Sequence, residues 1–292
     1  MNEKTGGIDL KSSLDEGAFP EGIVKKLEIL KAKLNGKMCI VAFSGGVDST
    51  VLLIIAKSFC AEVYAVHVDM PLNSTGETEA ARELAKLLDV ELHVLNRRPL
   101  DNDDFASNDA RRCYHCKMYN FKALKELQEE LKFEMILEGS NVDDAGDYRP
   151  GMDALKELGI ESAFQPVGIT KQEIREIARV LGLPNAGKPS NACLASRIAY
   201  GIKINDDLLD KIDKAEILIK ESLEVKNLRA RVHQGDILRI ELEKTDLPKI
   251  MTEKSTQIIE LSKKLKGLGF KKVALDLDGY ETGSMNYAIE KD

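Results

Sequence analysis

The segment Ser-Gly-Gly-Val-Asp-Ser-Thr at residues 44–50 constrains the fold of this chain more than any other stretch. It follows an apolar run at residues 38–43 and precedes an apolar, helix-like run at residues 51–59. A buried strand, a glycine-rich turn and a helix N-terminus form an anion site, because backbone N–H groups converge there and glycine lets the chain approach phosphate oxygens. The loop lacks the Gly-Lys-Ser/Thr ending of a Walker motif, so the pattern predicts a different kind of nucleotide loop.

After a predicted helix at residues 21–34, short β-branched runs alternate with helical patterns. We predict strands at 38–43, 62–68, 91–95 and 134–138, and helices at 49–59, 77–88, 116–131 and 170–181. The alternation predicts βαβ units and a mostly parallel sheet covered on both faces. Ligands of such sheets bind at the carboxyl ends of the strands, which places the 44–50 loop, residues 67–69 and residues 139–141 along one edge. Thr170 and Glu173 match a capping box, and residues 1–19 are predicted to be a loose polar leader.

The pattern changes near residue 203. Asn205 and the two aspartates after it can cap a helix from 208 to about 223, and residues 228–232 and 237–242 read as a hairpin. A helix at 251–265 and a strand at 272–277 follow. We therefore predict an α/β nucleotide-binding domain over residues 1–203 and a smaller α+β domain over residues 204–292.

The bulk properties exclude several functions. A net charge of −7 and a pI near 5.4 argue against a broad nucleic-acid-binding face. Apolar runs are too short to span a bilayer, and the first 13 residues lack the pattern of a secretion signal. Five cysteines in such a chain indicate reduced thiols or metal ligands rather than a disulfide framework. We expect a soluble cytoplasmic protein with neither nucleic-acid nor membrane partners.

Three cysteines are candidates for chemistry. Cys113 and Cys116 are three residues apart at a predicted helix start and so share one face, which suits half a zinc site, a redox dithiol or part of an iron–sulfur site. Cys193 lies between the cations of Lys188 and Arg197, which favour a reactive thiolate. Three thiolates would leave one iron of a four-iron cluster without a protein ligand. The remaining two cysteines, Cys39 and Cys60, are predicted to be core packing.

The loop at residues 44–49 resembles the PP-loop of ATP pyrophosphatases, which split ATP between the α and β phosphates. With the segments 139–150, 193–201, 229–233 and 275–286, it makes the chain resemble the LarE family, ATP-dependent sulfur transferases that build the pincer ligand of the nickel cofactor of lactate racemase. The resemblance implies a PP-loop α/β sheet with a smaller α+β C-terminal domain, ATP, Mg²⁺ and a homo-oligomer, often a hexamer. It also implies a substrate, pyridinium-3,5-biscarboxylic acid mononucleotide, whose carboxylates become thiocarboxylates.

Members of that family obtain sulfur in two ways. Some sacrifice the sulfur of a single cysteine that matches Cys193, whereas others hold a 4Fe–4S cluster on three cysteines. Because Cys113 and Cys116 accompany Cys193, this chain resembles the cluster type, in which a sulfide on the open iron is transferred and a sulfide or persulfide donor must reload it. The sacrificial route is the alternative.

The site residues follow from the loop chemistry and the resemblance. Asp48 is predicted either to cap its helix or to help hold Mg²⁺. Arg229 and Arg231 alternate on a predicted strand and face one side, which suits either binding of carboxylate or phosphate or pairing with surface acids. The resemblance favours binding, and it implies that both arginines are catalytic with Asp48 and Cys193. The remaining expected positions are Ser44, Gly45, Gly46, Ser49 and Thr50 around pyrophosphate, Ala42 and His67 near adenine, Gly139, Asn141, Asp143 and Asp144 near the ribose and α-phosphate, Arg197 near the sulfur donor and Glu241 in the substrate pocket. Asp143 and Asp144 could equally form a solvated turn.

Three other functions share parts of this pattern. A PP-loop tRNA thiolation enzyme usually adds a zinc ribbon or an RNA-binding module and has a basic surface. An amide synthetase, such as an NAD or GMP synthetase, gives no reason for the three cysteines. A non-catalytic iron–sulfur carrier that binds nucleotide for regulation would show no substrate-dependent ATP turnover.

Overall fold

The computed structural model describes residues 8–146, 150–189, 192–281 and 283–285. Contacts divide the chain into two compact units. Unit 1 contains the described residues of Met1–Met70, Gly76–Arg97 and Cys113–Asn191, and unit 2 those of Pro71–Thr75, Arg98–Arg112 and Ala192–Asp292. Residues 147–149, 282 and 286, which belong to the segments that resemble the LarE family, lie outside the described residues.

Unit 1 is built on a five-stranded parallel sheet with the strand order β3-β2-β1-β4-β5. The strands are β1 (Met38–Ala42), β2 (Glu62–Asp69), β3 (Leu92–Asn96), β4 (Met135–Glu138) and β5 (Glu161–Ser162). The first helices are α1 (Leu10–Asp15), α2 (Glu21–Leu34), α3 (Val47–Phe59) and α4 (Glu77–Leu87). Further along the chain lie α5 (Asp103–Ala106, in unit 2), α6 (Arg112–Leu131), α7 (Pro150–Glu157) and α8 (Lys171–Val180). The predicted α/β fold with a central parallel sheet is confirmed.

The central strand β1 supplies apolar side chains to both faces of the sheet. Val41 packs into a core with α2, α3 and α8, while Ile40 packs into a second core with α6 and α7. The strand order reverses at β1, since β2 and β4 flank it. A crevice therefore opens beyond the carboxyl ends of β1 and β4, where ligands of such sheets bind. The 44–50 loop follows β1 directly, as predicted.

Unit 2 carries a three-stranded sheet with the order β6-β7-β8, in which β6 and β7 are antiparallel and β8 is parallel to β7. Its elements are α9 (Asp206–Leu223), β6 (Leu228–His233), β7 (Ile237–Leu242), α10 (Leu247–Glu253), α11 (Ser255–Gly267) and β8 (Lys272–Leu275). The predicted hairpin is confirmed, and Asn205 caps α9 by accepting a hydrogen bond from Leu208 N–H.

Residues 192–203 belong to unit 2, so the division lies earlier than the predicted domain limit at residue 203. The reason is backbone hydrogen bonding within this unit. Leu194 N–H donates to Leu72 O at 2.9 Å, and Ala199 N–H donates to Val232 O at 2.9 Å. These bonds hold the segment around Cys193 against β6 and the short inserted stretch at residues 71–75.

Two predictions of secondary structure were wrong. The leader contains α1 within its described part. Asp9 caps this helix, and Leu10 and Phe19 pack into the core of unit 1, so tertiary contacts order the segment. The single helix predicted at residues 251–265 is broken at Lys254, whose backbone is not helical. The Lys254 ammonium donates to Leu223 O at 2.8 Å and pairs with Glu224 at 2.5 Å, which holds the break in place. In the described part of the chain, no helix is long and apolar enough to cross a membrane.

Candidate functional site

The loop after β1 forms one wall of a cavity of about 120 Å³ in unit 1. Gly46 is the N-cap residue of α3, so the first N–H groups of that helix have no partner within the helix. Such a helix start attracts anions through these donors and the helix dipole. The lining residues are Ser44, Gly45, Gly46, Val47, Asp48, Glu77, Ala80, Ala81, Lys171, Lys188 and Pro189.

Two hydroxyl groups of the loop make hydrogen bonds within the loop itself. Ser49 Oγ donates to Gly46 O at 3.1 Å and contacts Ser44 Oγ at 3.1 Å. Thr50 is fully buried, and its Oγ1 donates to Gly46 O at 2.8 Å. Both hydroxyls were expected to donate to pyrophosphate, but the structure directs them to the loop backbone. Ser49 and Thr50 therefore hold the shape of the loop, while Ser44, Gly45 and Gly46 line the cavity.

Asn185 is a further loop residue that sequence reasoning missed. Its amide Nδ2 donates to Gly45 O at 3.1 Å and to Thr50 Oγ1 at 2.9 Å, and its side chain is buried. A buried amide with two such partners fixes the position of the Gly45 carbonyl and so supports the shape of the loop. No local pattern around residue 185 signals this role, since the contact spans 140 positions of sequence.

Asp48 forms an ion pair with Lys171 at the cavity wall. Asn141 Nδ2 donates to the other carboxylate oxygen of Asp48 at 3.4 Å. Asp48 is the second residue of α3 and Gly46 occupies the cap position, so Asp48 does not cap the helix. Lys171, which sequence reasoning missed, provides the cation that the loop itself lacks. The available signal was a lysine at the first position of a helix with a capping box, and that box is confirmed for Thr170 and Glu173.

The carboxyl end of β4 approaches the start of α3 very closely. A Cβ atom on Gly139 would lie 3.2 Å from both Asp48 C and Ser49 N, so any side chain there would push the two elements apart. Asn141 N–H donates to Asp144 Oδ2 at 2.9 Å, which shapes the turn that follows. The structure thus brings Gly139 and Asn141 to the 44–50 loop, as the strand order requires.

The predicted adenine positions lie where β1 and β2 end. Ala42 pairs with Val66 in the parallel ladder, and His67 is buried with Nδ1 2.9 Å from Phe43 O. His67 Nε2 contacts Thr78 Oγ1 at 3.1 Å. Both ring nitrogens of His67 therefore have protein partners, and the imidazole links the strand ends to the start of α4.

Gly45→Ala is expected to weaken ATP binding and to destabilise unit 1. Gly45 has φ +74°, and an added Cβ would lie 3.3 Å from the Ala81 Cα and Cβ atoms on α4. Backbone strain alone costs about 1–2 kcal/mol. Gly36→Ala is the matched control, since Gly36 also has φ +74° but open space around it. Urea unfolding and the KM for ATP measure the difference. Equal effects of both variants on both quantities would contradict a role for the close contact with α4.

The charged residues predicted on β6 lie in a buried network of unit 2. Arg231 Nε donates to Glu241 Oε2 at 3.0 Å, and Arg239 Nη2 lies 3.1 Å from Glu241 Oε1. The Glu241 side chain is fully buried, and its two positive partners offset the cost of burying its charge. Glu241 is therefore held between two arginines, one of which, Arg231, is also only 5% exposed.

Arg229 has a different environment on the same strand. Its guanidinium lies 4.8 Å from the centre of the Tyr280 ring, and its Nη1 donates to Asn227 Oδ1 at 2.8 Å. Burial lowers the pKa of Arg229, and the positive charge of Arg197 lowers it further. A buried cation in such surroundings gains from an anionic ligand.

Arg197 supports the segment that carries Cys193. It forms a buried ion pair with Glu216, at 2.9 Å between Nε and Oε1, and its Nη1 donates to Ala192 O at 2.6 Å and Cys193 O at 3.2 Å. Glu216 was missed from the sequence, although it also accepts from Ala230 N–H at 3.0 Å and so ties α9 to β6. Arg197 thus holds the backbone around Cys193.

The three candidate cysteines fall into both units. Cys113 is exposed and Cys116 half-buried on the first turn of α6, in unit 1. Asn120, one turn further, is buried and its Nδ2 donates to Cys116 Sγ at 3.4 Å, which orients this sulfur. Cys193 is half-buried in unit 2. Among the described residues, no group of three or more His, Cys, Asp or Glu side chains is arranged to hold a metal ion.

Stability is expected to fall at acid pH through His233. Arg239 Nε donates to His233 Nε2 at 3.1 Å, so the neutral ring is the form that fits. Burial lowers the pKa of His233 from its ordinary value of 6.5, and the Arg239 charge lowers it further. The unfolded chain therefore binds this proton more readily, and the contribution is complete above pH 6.5 and is lost as the pH falls towards the folded pKa.

Urea unfolding across about pH 5 to 8 measures this effect. His233→Gln keeps an acceptor at the ε position but cannot titrate, so its unfolding free energy should vary less with pH than that of the unchanged protein. The same pH dependence in both proteins would contradict the role of His233.

The sheet order, the loop and the cation beside it define the PP-loop class of ATP-using enzymes, and the comparisons agree. The family model described as queuosine biosynthesis protein QueC matches residues 38–107. Protein slr1717 of Synechocystis sp. is 33% identical over 86% of this chain and 93% of its own length. Protein MJ0830 of Methanocaldococcus jannaschii is 31% identical over 90% of this chain and 99% of its own.

The name of a third relative states an enzymatic activity. The pyridinium-3,5-bisthiocarboxylic acid mononucleotide synthase of Lactiplantibacillus plantarum is 30% identical over 91% of this chain and 95% of its own length. The chain therefore belongs to the LarE family of PP-loop enzymes, as the motifs predicted. It is an ATP-dependent sulfur transferase.

Proposed function

We propose that this enzyme activates the carboxylates of pyridinium-3,5-biscarboxylic acid mononucleotide with ATP and converts them to thiocarboxylates for the nickel-pincer cofactor of lactate racemase. The observation that carries the proposal is the Asp48–Lys171 pair at the wall of the 44–50 loop cavity. It places a carboxylate suited to Mg²⁺ and a lysine suited to phosphate beside a helix N-terminus. The named Lactiplantibacillus relative supports the choice of substrate.

ATP is needed because a carboxylate is a poor electrophile with a poor leaving group. Attack of a carboxylate oxygen on the α-phosphorus forms an acyl adenylate and breaks the bond to pyrophosphate, which the loop receives. A sulfur nucleophile then adds to the acyl carbon, AMP leaves, and a thiocarboxylate remains. Backbone N–H groups of the loop and the Lys171 ammonium stabilise the charge that builds on the leaving pyrophosphate. We assign Mg²⁺ to Asp48, which requires this carboxylate to exchange its lysine partner for the metal.

The substrate carries two ring carboxylates and a phosphate, and we assign their recognition to the buried arginines of unit 2. Arg229 is a buried cation whose guanidinium contacts the Asn227 side chain, the Leu228 carbonyl and the Tyr280 ring. Arg231 and Glu241 form a fixed pair beside it on neighbouring strands. Planar guanidinium groups bind carboxylate and phosphate through two hydrogen bonds, which is why we assign this contact to the arginines of β6.

We propose that sulfur is carried by a 4Fe–4S cluster held by Cys113, Cys116 and Cys193. The donor set fits such a group, because all three residues supply thiols, the ligands that iron–sulfur clusters use. The Asn120 amide beside Cys116 is the kind of donor that orients a sulfur ligand. When bound, the cluster supplies an iron position that can take up sulfide from a sulfide or persulfide donor. Sacrifice of the Cys193 sulfur is the alternative, and a homo-oligomer, often a hexamer in this family, remains part of the proposal.

ATP–pyrophosphate exchange tests the activation step without requiring sulfur. The exchange should depend on the pyridinium dicarboxylate nucleotide, because the acyl adenylate forms only with it. Exchange that proceeds equally without this compound would contradict the proposed substrate.

Lys171→Ala is expected to lower the rate of this exchange by about 10²-fold, the usual loss when one donor to a developing charge is removed. Lys188→Ala is the matched control, since Lys188 lines the same cavity but is exposed. We expect the control to change mainly the KM for ATP. Equal exchange rates in Lys171→Ala and Lys188→Ala would contradict a specific role of Lys171 in stabilising the leaving pyrophosphate.

A further inference from the structure

Cys39 and Cys60 were predicted to be core packing, and they meet in unit 1 with their Sγ atoms 3.1 Å apart. Cys39 lies in β1 and is fully buried, whereas Cys60 directly follows α3 and is partly exposed. A disulfide bond requires the two sulfurs to be about 2.05 Å apart. A shift of about 1 Å would therefore join them.

The backbone around both cysteines holds the sulfurs together. Cys39 is paired in the parallel ladder with Val63 on β2 and Met135 on β4. Cys60 N–H donates to Ala56 O at 2.8 Å, and Ala61 N–H donates to Lys37 O at 2.8 Å. These bonds fix the exit of α3 against the entry of β1, so the contact belongs to the fold rather than to a mobile side chain.

The two thiols differ chemically. The contact with Cys60 and burial raise the pKa of Cys39. The hydrogen bond shared with Cys39 lowers the pKa of Cys60, although burial opposes this. Cys60 is thus the partly exposed thiol of the pair and the one whose pKa is lowered, and the thiolate is the reactive form of a cysteine.

We propose that Cys60 and Cys39 form a reversible disulfide when the protein meets a hydroperoxide. The Cys60 sulfur attacks one peroxide oxygen and becomes a sulfenic acid, while the O–O bond breaks and the second oxygen leaves as water after protonation. The Cys39 sulfur then attacks the Cys60 sulfur, the S–S bond forms, the S–O bond breaks, and the thiol proton leaves with the departing hydroxyl as water. Two sulfurs lose two electrons in total, and one hydrogen peroxide becomes two water molecules.

The disulfide would link two positions that are 21 residues apart in sequence, and the whole 44–50 loop lies between them. The cross-link lies at the entry of β1 and the exit of α3, so it joins these elements at the ends remote from the nucleotide loop. It would stabilise the fold, because loop closure restricts the unfolded chain, and it would prevent Cys60 from reaching the irreversible sulfinic state. A small dithiol reverses the bond by thiol–disulfide exchange.

Peptide mapping of the full-length chain tests the proposal. A variant with Cys113, Cys116 and Cys193 replaced by alanine leaves only the pair, and the unchanged protein is mapped in parallel in case that variant fails to fold. After treatment with hydrogen peroxide and alkylation, we expect one cross-linked peptide that joins Cys39 and Cys60, loss of that peptide with dithiothreitol, and a higher melting temperature before reduction.

The control is Cys39→Ser, in which Cys60 has no partner thiol and should accumulate as sulfinic or sulfonic acid. The proposal is overturned if both cysteines stay alkylatable after peroxide treatment that oxidises Cys60 in the Cys39→Ser variant. It is equally overturned if Cys60 becomes sulfinic acid while Cys39 remains a thiol.

Discussion

Replacing Asp48 by alanine is expected to abolish AMP formation, with a loss of at least about 10²-fold. The side chain sits at the second position of α3 and contacts both Lys171 and Asn141, so its removal releases the cation and the turn after β4 at once. A Mg²⁺ ion would also lose a carboxylate ligand. Substrate-dependent release of AMP and pyrophosphate, measured at saturating ATP, quantifies the effect.

Two further variants show whether the loss comes from the charge of Asp48 or from removing any carboxylate of the cavity. Asp48→Asn keeps the size and the hydrogen-bonding ability of the side chain but removes its charge, so we expect it to be nearly as inactive. Glu77→Ala removes a carboxylate from the wall of the same cavity, on α4, and should retain most of the turnover. Unchanged turnover in Asp48→Ala would remove the loop carboxylate from the mechanism.

Replacing Cys113 by alanine is expected to abolish iron binding while AMP formation stays measurable. Cys113 lies on α6, whereas the nucleotide loop is built by β1, α3 and the turn after β4, so loss of one thiol leaves the ATP contacts in place. Iron and acid-labile sulfide are measured after anaerobic purification, together with AMP release. The expected iron content of the unchanged protein is about four per chain.

Cys60→Ser is the matched control for this experiment, since it removes a thiol of unit 1 that we assign to the β1–α3 pair. It should keep its iron. Loss of both iron and AMP formation in Cys113→Ala would indicate a structural metal instead of a sulfur carrier. Absence of iron from the unchanged protein would favour the sacrificial role of Cys193.

Local patterns were sufficient to predict the core of the fold. The continuous apolar run of β1 indicated a strand buried on both faces, and its alternate packing of Ile40 and Val41 into two cores bears this out. The capping box at Thr170 located the start of α8 to the residue. These features depend on residues only a few positions apart, so they can be recognised in the sequence without knowledge of the fold.

The missed residues act across long distances in sequence. Lys171 reaches Asp48 over 123 positions and Asn185 reaches Gly45 over 140, so only the assembled sheet brings them together. Glu216 is similar, since it sits on the buried side of α9 and reads from sequence as an ordinary helix acid. The errors at the leader and at Lys254 share this cause. Packing into the core of unit 1 orders the leader, and the contact of Lys254 with Leu223 O interrupts the predicted helix.

The most direct test of the account follows the sulfur itself. The iron-loaded protein is incubated anaerobically with ATP, Mg²⁺, sulfide and pyridinium-3,5-biscarboxylic acid mononucleotide, and the nucleotide product is identified by mass spectrometry while AMP is counted. The account predicts that sulfur replaces a carboxylate oxygen and that AMP appears in step with each replacement. AMP formation that does not depend on the pyridinium compound, or a product of unchanged mass while ATP is consumed, would contradict it.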